Sequence, residues 1–439
     1  MSADVIVVGV GADGWSGLAA AAQAELSRAR IVYGSTRQLR LLPGEVRADR
    51  VVWRSPMSAH LAELADGIAA HSIDPNSNNP NSNNPNSNNP NSNSPDSNSP
   101  DSTAAAAPIH VLASGDPMFH GVGASLVRAF GAERVRVIPH PSSASLAAAR
   151  LGWDLARTRV VSLVTAPVET LLGHLTGGAR TLVLSRDAAT PADVADLLTA
   201  AGFGASSMTV LSDLGARTER VDSGHAATWT GTPSPLNIVA VDCVGPAHSR
   251  APGLDDDEFT NDGQLTKRPI RALTVSALRP ADGQTFWDIG AGAGSICIEW
   301  LRLAQTGRAV AFEADPARTS HIVENARRHG VADRLELRGA APDALTDAPR
   351  PDTVFVGGGL SADLLERAWA ALPTGGRIVA NAVTLQTERL ISDAADRWGG
   401  DLMRVSVERA APLGRSTAWR PALPIVQWTA VRTDDEGMR

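Results

Sequence analysis

The chain has 439 residues, 43% of them hydrophobic and 20% charged, with a net charge of −7, which suffices for two or three ordinary globular domains. No apolar run approaches the ~20 residues of a membrane span, and the negative balance disfavours non-specific nucleic-acid binding. The two cysteines, Cys243 and Cys297, can build neither a disulfide framework nor a cysteine-rich zinc site. The first residues, MSADVIVVGVG, lack the basic stretch and cleavage site of an export signal, so a reducing cytoplasm is the expected location.

In chain order, apolar runs at 5–8, 31–32, 109–113, 135–138, 160–164, 181–184, 209–211 and 238–241 predict strands between alanine-rich helical stretches, an α/β pattern. Gly9, Gly11 and Gly14 after the first run form a formal Gly-x-Gly-x-x-Gly. A dinucleotide site would need an acid at the end of the second strand, and Gly34-Ser35 stands there instead, so these glycines serve another purpose. Residues 75–102 repeat a five-residue unit, PNSNN and its variants, with no apolar residue; an insert over 72–107 that cannot bury a core is expected. Beyond it come VLASGDPMFHGVG (111–123) and PHPSSASLAAARLGW (139–153). On residues alone, Ser114-Gly115-Asp116-Pro117 is an ordinary strand-ending turn. His110, His120 and His140 fall near these loops at no metal-ligand spacing, and no metal is expected; His120, beside Gly121, is a candidate for substrate contact.

A composition break at 245–263, GPAHSRAPGLDDDEFTNDG, reads as an interdomain linker, with its acids at 255–258 solvated and without a role. Strands are then predicted at 285–289, 309–313, 335–338, 353–356 and 377–380, with two more at 405–409 and 425–431, which together suggest one doubly wound sheet. In residues 285–299, TFWDIGAGAGSICIE, a strand runs into Gly290, Ala291, Gly292, Ala293 and Gly294 before a helix. Glycine permits a tight turn and a close ligand approach, and the helix start offers free amides. Glu313 ends the next strand, where a carboxylate can accept from both hydroxyls of an adenosine ribose. The third glycine arrives one residue early for a pyrophosphate turn, which disfavours NAD.

This Asp-x-Gly-x-Gly-x-Gly string and LPTGGRIVA (372–380) resemble class I methyltransferases. Three further strings, LTKRPIRALTVSALRP (265–280), RPDTVFVGGGLS (350–361) and RIVANAVTLQTE (377–388), resemble the decarboxylating precorrin methyltransferase domain of cobalamin biosynthesis. The resemblance implies an S-adenosylmethionine site at Thr266, Gly290–Gly294, Glu313 and Ala341, with Gly358 and Asn381 at its carboxyl edge. Gln386 departs from the acid that many relatives carry, and Lys267 and Arg271 are candidates to receive substrate carboxylates. Trp419 and Arg420, in the string 411–428, either pack a closing strand or touch substrate. The earlier strings, with the GVGADGWSGL start, resemble the tetrapyrrole methylase family in its carbon-5 branch. There the resemblance implies that Gly9 and Gly11 border the substrate trough, while Ser114, Gly115, Asp116, Pro117, Ser142 and Ser143 cradle a second S-adenosylmethionine.

The expected architecture is therefore a two-lobed tetrapyrrole methylase fold over 1–246, a linker over 247–262, and a Rossmann-like class I methyltransferase sheet over 263–439. The expected activity is methylation of precorrin-6B at carbons 5 and 15 with loss of the carbon-12 acetate carboxylate, giving precorrin-8. Expected partners are the tetrapyrrole and a second copy of the chain, with no nucleic acid and no membrane. Two alternatives stay open: the N-terminal half is a binding or assembly module, or the second domain alone methylates another acidic small molecule or an RNA. No His/Asp pair identifies itself in the sequence for proton removal.

Overall fold

The computed structural model describes residues 4–54, 60 and 108–434; the repeat, the expected insert 72–107 and the helix expected to end near residue 70 lie outside the described residues. The first sheet holds β1 (Val5–Val10), β2 (Ile31–Gly34), β3 (Asp49–Val52), β4 (Ile109–Ser114) and β5 (Val135–Ile138) in the order β3-β2-β4-β1-β5, all parallel. Every residue of β1 is buried, because helices cover both faces of a parallel sheet. Ile6, Val8 and Val10 pack towards Leu26 and Leu39, whereas Val5 and Val7 pack towards Leu126 and Phe130.

The second sheet holds β6 (Thr158–Ser162), β7 (Arg180–Leu184), β8 (Ser207–Ser212), β9 (Arg220–His225) and β10 (Asn237–Asp242), ordered β6-β7-β10-β8-β9 and antiparallel except at β6–β7. The helix Ser143–Leu151, which follows the first sheet in the chain, lays Ala144 and Ala147 on Leu182, Leu211 and Ile238 of the second. Two lobes thus face each other across one short connection.

The third sheet takes β11 (Thr285–Ile289), β12 (Arg308–Phe312), β13 (Leu335–Arg338), β14 (Thr353–Val356), β15 (Arg377–Ala382), β16 (Asp401–Val405) and the closing strand Ile425–Val431. Between the last two stands a separate antiparallel hairpin, β17 (Glu408–Leu413) with β18 (Ser416–Pro421), so the closing strand is β19. The order β13-β12-β11-β14-β15-β19-β16, with β19 antiparallel to both neighbours, is a doubly wound sheet whose winding reverses at β11/β14. The α/β class is borne out, with the tetrapyrrole methylase fold before the Rossmann-like class I sheet. The strand expected at 405–409 is not one strand: β16 ends at Val405 and β17 starts at Glu408, because the chain leaves the sheet to make the hairpin.

The segment read as linker is only partly free. Phe259 is buried in the core of the third sheet, and Thr260 and Asn325 exchange hydrogen bonds. The acids expected to be idle also have partners: Asp255 pairs with Arg268, and Asp256 accepts from Arg271 at 3.1 Å. Among the described residues, no helix is long and apolar enough to cross a membrane.

Candidate active sites

In an open parallel sheet, ligands bind at the carboxyl ends of the strands where the winding reverses. A cavity of about 1280 Å³ lies there, lined by the loops after β11, β12, β14 and β15. Gly290, Gly292 and Gly294 all have left-handed φ, at +71°, +59° and +76°. A Cβ on Gly290 would fall 2.7 Å from the backbone N and Cα of Gly358, so the loops after β11 and β14 touch main chain to main chain. A Cβ on Gly292 would meet nothing closer than Gln264 O at 3.9 Å and would occupy the cavity. Gly294 does not line the cavity; it opens the helix Ser295–Leu303, with Ile322 3.0 Å from where its Cβ would be.

Glu313 follows β12 and lines the cavity while almost buried. Its Oε2 accepts from Gly292 N at 2.7 Å and its Oε1 from Asp315 N at 3.0 Å, which fixes the carboxylate and leaves each oxygen a further lone pair. Thr266, Lys267, Ala291, Ala293, Ala341, Gly358 and Asn381 line the same cavity. The Asn381 side chain is fixed by neighbours outside every motif: its Nδ2 donates to Thr274 Oγ1 at 2.9 Å, and Gln427 Nε2 donates to its Oδ1 at 2.9 Å. The available signal was Gln427 itself, a polar residue inside the apolar strand β19.

Arg271 is a correction. Its side chain is 0% exposed and is paired with Glu299 at 2.6 Å, and it also donates to Thr266 O, Leu254 O and Asp256. It therefore clasps the folded-back segment to the helix Ser295–Leu303 and has no donor face for substrate.

Asp288, the acid of the glycine string, is buried, with Oδ2 accepting from Cys297 N at 3.0 Å and Oδ1 without a hydrogen-bond partner among the described residues. Burial pushes its carboxyl up to about 7, and the charge of Glu313 adds to the rise. The folded chain then holds a proton that the unfolded chain has lost, so stability falls as pH rises from about 4 to about 7. Asp288→Asn keeps an acceptor and removes the charge; it is expected to raise Tm at pH 8 and to leave it nearly unchanged at pH 4. Equal shifts at both pH values would contradict this assignment.

A second cavity, about 450 Å³, lies between the carboxyl ends of the first sheet and the second sheet. Gly11, Ser114, Gly115, Asp116, Ser142, Ser143 and His120 line it, opposite Leu211, Leu236 and Ile238. Ser114 Oγ accepts from Arg37 Nη2 at 2.7 Å and Gln38 Nε2 at 3.0 Å, and Ser142 caps the helix Ser143–Leu151 through Ser145 N at 3.1 Å. Two expected residues are not at the surface of this cavity. A Cβ on Gly9 would lie 2.3 Å from Gly115 O, so Gly9 serves close packing of β1 under the next loop. Pro117 closes the turn instead, its carbonyl accepting from Gly123 N at 2.9 Å. A carboxylate–imidazole pair that no motif signalled also stands here: Asp13 Oδ1 lies 3.9 Å from His140 Nε2, beside Gly11, and has no hydrogen-bond partner among the described residues. More than 120 positions separate the two residues, and no local spacing announces them.

Comparison with known proteins adds the following. Residues 257–432 match the family described as precorrin methyltransferase domain, and residues 4–228 match the tetrapyrrole (corrin/porphyrin) methylases. Precorrin-6Y C(5,15)-methyltransferase (decarboxylating) from Mycobacterium tuberculosis is 41% identical over 98% of this chain and 100% of its own length. The protein of the same name from Sinorhizobium sp is 40% identical over 96% of this chain and 95% of its own. Among solved structures, the C-terminal domain of precorrin-6Y C5,15-methyltransferase from Rhodobacter capsulatus is 44% identical, with 42% of this chain and 100% of that domain covered at a TM-score of 0.41. With two methyltransferase families matched in tandem and full-length relatives at this identity, the chain belongs to the decarboxylating precorrin-6Y C(5,15)-methyltransferase family.

Proposed function

We propose that the chain methylates a precorrin macrocycle at carbons 5 and 15 and removes the carboxylate of the carbon-12 acetate, converting precorrin-6B to precorrin-8 in cobalamin biosynthesis. The observation that carries this reading is a pair of separate cavities in one chain, each set against the glycine loops of a different methyltransferase family. On this reading residues 1–246 and 263–439 are two catalytic units joined by 247–262, each taking one S-adenosylmethionine and no metal. The protein would act in the cytoplasm as a homo-oligomer without a nucleic-acid partner.

The residues present fit that cofactor. Gly292 leaves open the space that a Cβ would fill, and Glu313 is held beside it with acceptor capacity for a ribose. When bound, S-adenosylmethionine supplies an electrophilic sulfonium methyl group to an electron-rich carbon of the reduced macrocycle. The protein's task is then alignment and exclusion of water, and alignment is worth ~7–11 kcal/mol in favourable systems. Glu313 and the loop Gly290–Gly294 orient the cofactor, and the bonds from Gln427 and to Thr274 hold the Asn381 amide against the substrate side of the same cavity. Asp13 with His140, which flank Gly11 at the edge of the second cavity, is the candidate acceptor for the proton that carbon 5 releases. In decarboxylation the bond to the acetate carboxylate breaks, its electron pair enters the conjugated imine system of the macrocycle, and carbon dioxide leaves. The apolar wall of Phe355, Leu423 and Ile425 would favour that step by poor solvation of the carboxylate.

Mass spectrometry of the products formed from precorrin-6B and S-adenosylmethionine with labelled methyl groups tests the reading. Two labels and loss of one carbon dioxide are expected. One label with decarboxylation would leave the N-terminal half as a binding module, and no transfer would refute the substrate.

A further inference from the structure

We propose that the hairpin β17–β18 carries a carboxylate clamp, Arg409 with Arg420, that takes an acidic side arm of the macrocycle at the larger cavity. This rests on the proposed function; of the two arginines the string 411–428 offered only Arg420, and the hairpin register adds Arg409 as its partner. In the hairpin register Arg409 lies directly opposite Arg420. Directly opposed residues of an antiparallel pair share one face, so the two guanidinium groups are neighbours, and like charges placed this way destabilise the pairing. The hairpin forms a two-stranded sheet of its own, an arrangement too marginal to absorb such repulsion without a compensating role.

Both arginines line the 1280 Å³ cavity. Arg420 makes one long bond, from Nη2 to Pro412 O at 3.3 Å, and Arg409 has no hydrogen bond or ion pair among the described residues. Among the described residues the cavity lining contains one carboxylate, Glu313, which is already held by two backbone amides. Arg318, a further cation of the lining, is satisfied by Asp262 at 2.8 Å. The hairpin pair is therefore left as unneutralised positive charge at a cavity whose neighbouring wall includes the exposed Leu423. Paired guanidinium forks bind carboxylates bidentately, and an apolar wall beside them fits a flat macrocycle fringed with acetate and propionate arms. Trp419, one position away, pairs with Ala410 on the opposite face and is 70% exposed, so it neither packs a closing strand nor reaches this cavity.

The test is steady-state kinetics of carbon-15 methylation with the full chain and its Arg409→Gln, Arg420→Gln and doubly substituted variants, alongside calorimetric titration with S-adenosylmethionine. Each single substitution is expected to raise KM for the macrocycle about tenfold or more, as loss of a charged hydrogen bond does. The double variant should be worse than either, with cofactor affinity and stoichiometry retained as the check on folding. In the unsubstituted chain KM should rise with ionic strength, a measurement that needs no variant. An unchanged KM in the double variant, with wild-type turnover intact, would overturn the clamp and leave the proposed function standing. If the wild-type chain binds S-adenosylmethionine but neither binds nor turns over the macrocycle, the proposed function falls and takes the clamp with it.

Discussion

Arg271→Leu is expected to destabilise the fold around the third sheet by about 3–5 kcal/mol, the usual cost of removing one member of a buried ion pair. Arg271 and Glu299 are both 0% exposed at their side chains, and the Arg271 Nε donates to Glu299 Oε1 at 2.6 Å. Glu299 also receives Gly253 N at 2.6 Å and Leu254 N at 3.0 Å, so the lost guanidinium would leave its carboxylate buried and under-compensated. Leucine fills part of the volume but supplies none of the donors that now satisfy Leu254 O and Thr266 O. The stacking of the guanidinium on the Phe259 ring, 4.8 Å from its centroid, would go as well. Urea unfolding followed by tryptophan fluorescence reads this directly, because Trp300 sits in the same core as Phe259. Lys267→Met, at an exposed neighbouring position, should stay within ~0.5 kcal/mol of the unsubstituted chain. Wild-type stability in Arg271→Leu combined with a raised KM would restore the substrate role that the structure withdraws.

What separates Lys267 from Arg271 was not legible in the sequence, since both belong to one basic cluster; the structure puts Lys267 at the N-cap of the helix Arg268–Leu278 and Arg271 on its buried face. Their difference is made by residues 253–260, which fold back over Arg271 and bring Asp256 to its guanidinium and the amides of Gly253 and Leu254 to Glu299. An acidic, proline- and glycine-rich stretch reads as solvated until its tertiary partner is known. The glycine strings were legible because their chemistry is local: a left-handed φ and a close main-chain approach are demands on single positions. The buried parallel strand β1 announced itself by a continuous apolar run. The strands β3, β9 and β18 did not, because nearly all their residues are exposed or half-buried and their sequences carry charge and hydroxyl groups in place of alternation. The Asn381 contacts join positions 46 and 107 residues away, and the opposed arginines of the hairpin depend on a register that no spacing rule specifies in advance.

Gly290→Ala should abolish methylation with decarboxylation at carbon 15 while leaving carbon-5 methylation at the second, N-terminal cavity. Two costs coincide at this residue. An alanine held at φ +71° is strained by ~1–3 kcal/mol, and its methyl would meet Gly358 backbone atoms at 2.7 to 2.9 Å. No rotamer change relieves a main-chain collision, so the loops after β11 and β14 must part, and both of them line the larger cavity. S-adenosylmethionine affinity at that cavity should fall at least a hundredfold, about 2.7 kcal/mol, and calorimetry of the full chain should show one binding event where two are expected of the unsubstituted protein. Gly292→Ala provides the contrast, for its Cβ would lie no closer than 3.9 Å to other chain atoms and would enter the cavity itself. It should weaken cofactor binding with a much smaller loss of stability than Gly290→Ala, since the collision is with the ligand and not with the fold. Two binding events of unchanged affinity in Gly290→Ala would mean that the loop contact with Gly358 does not shape the cofactor site. The assignment of the Gly290–Gly294 turn as its cradle would then fail.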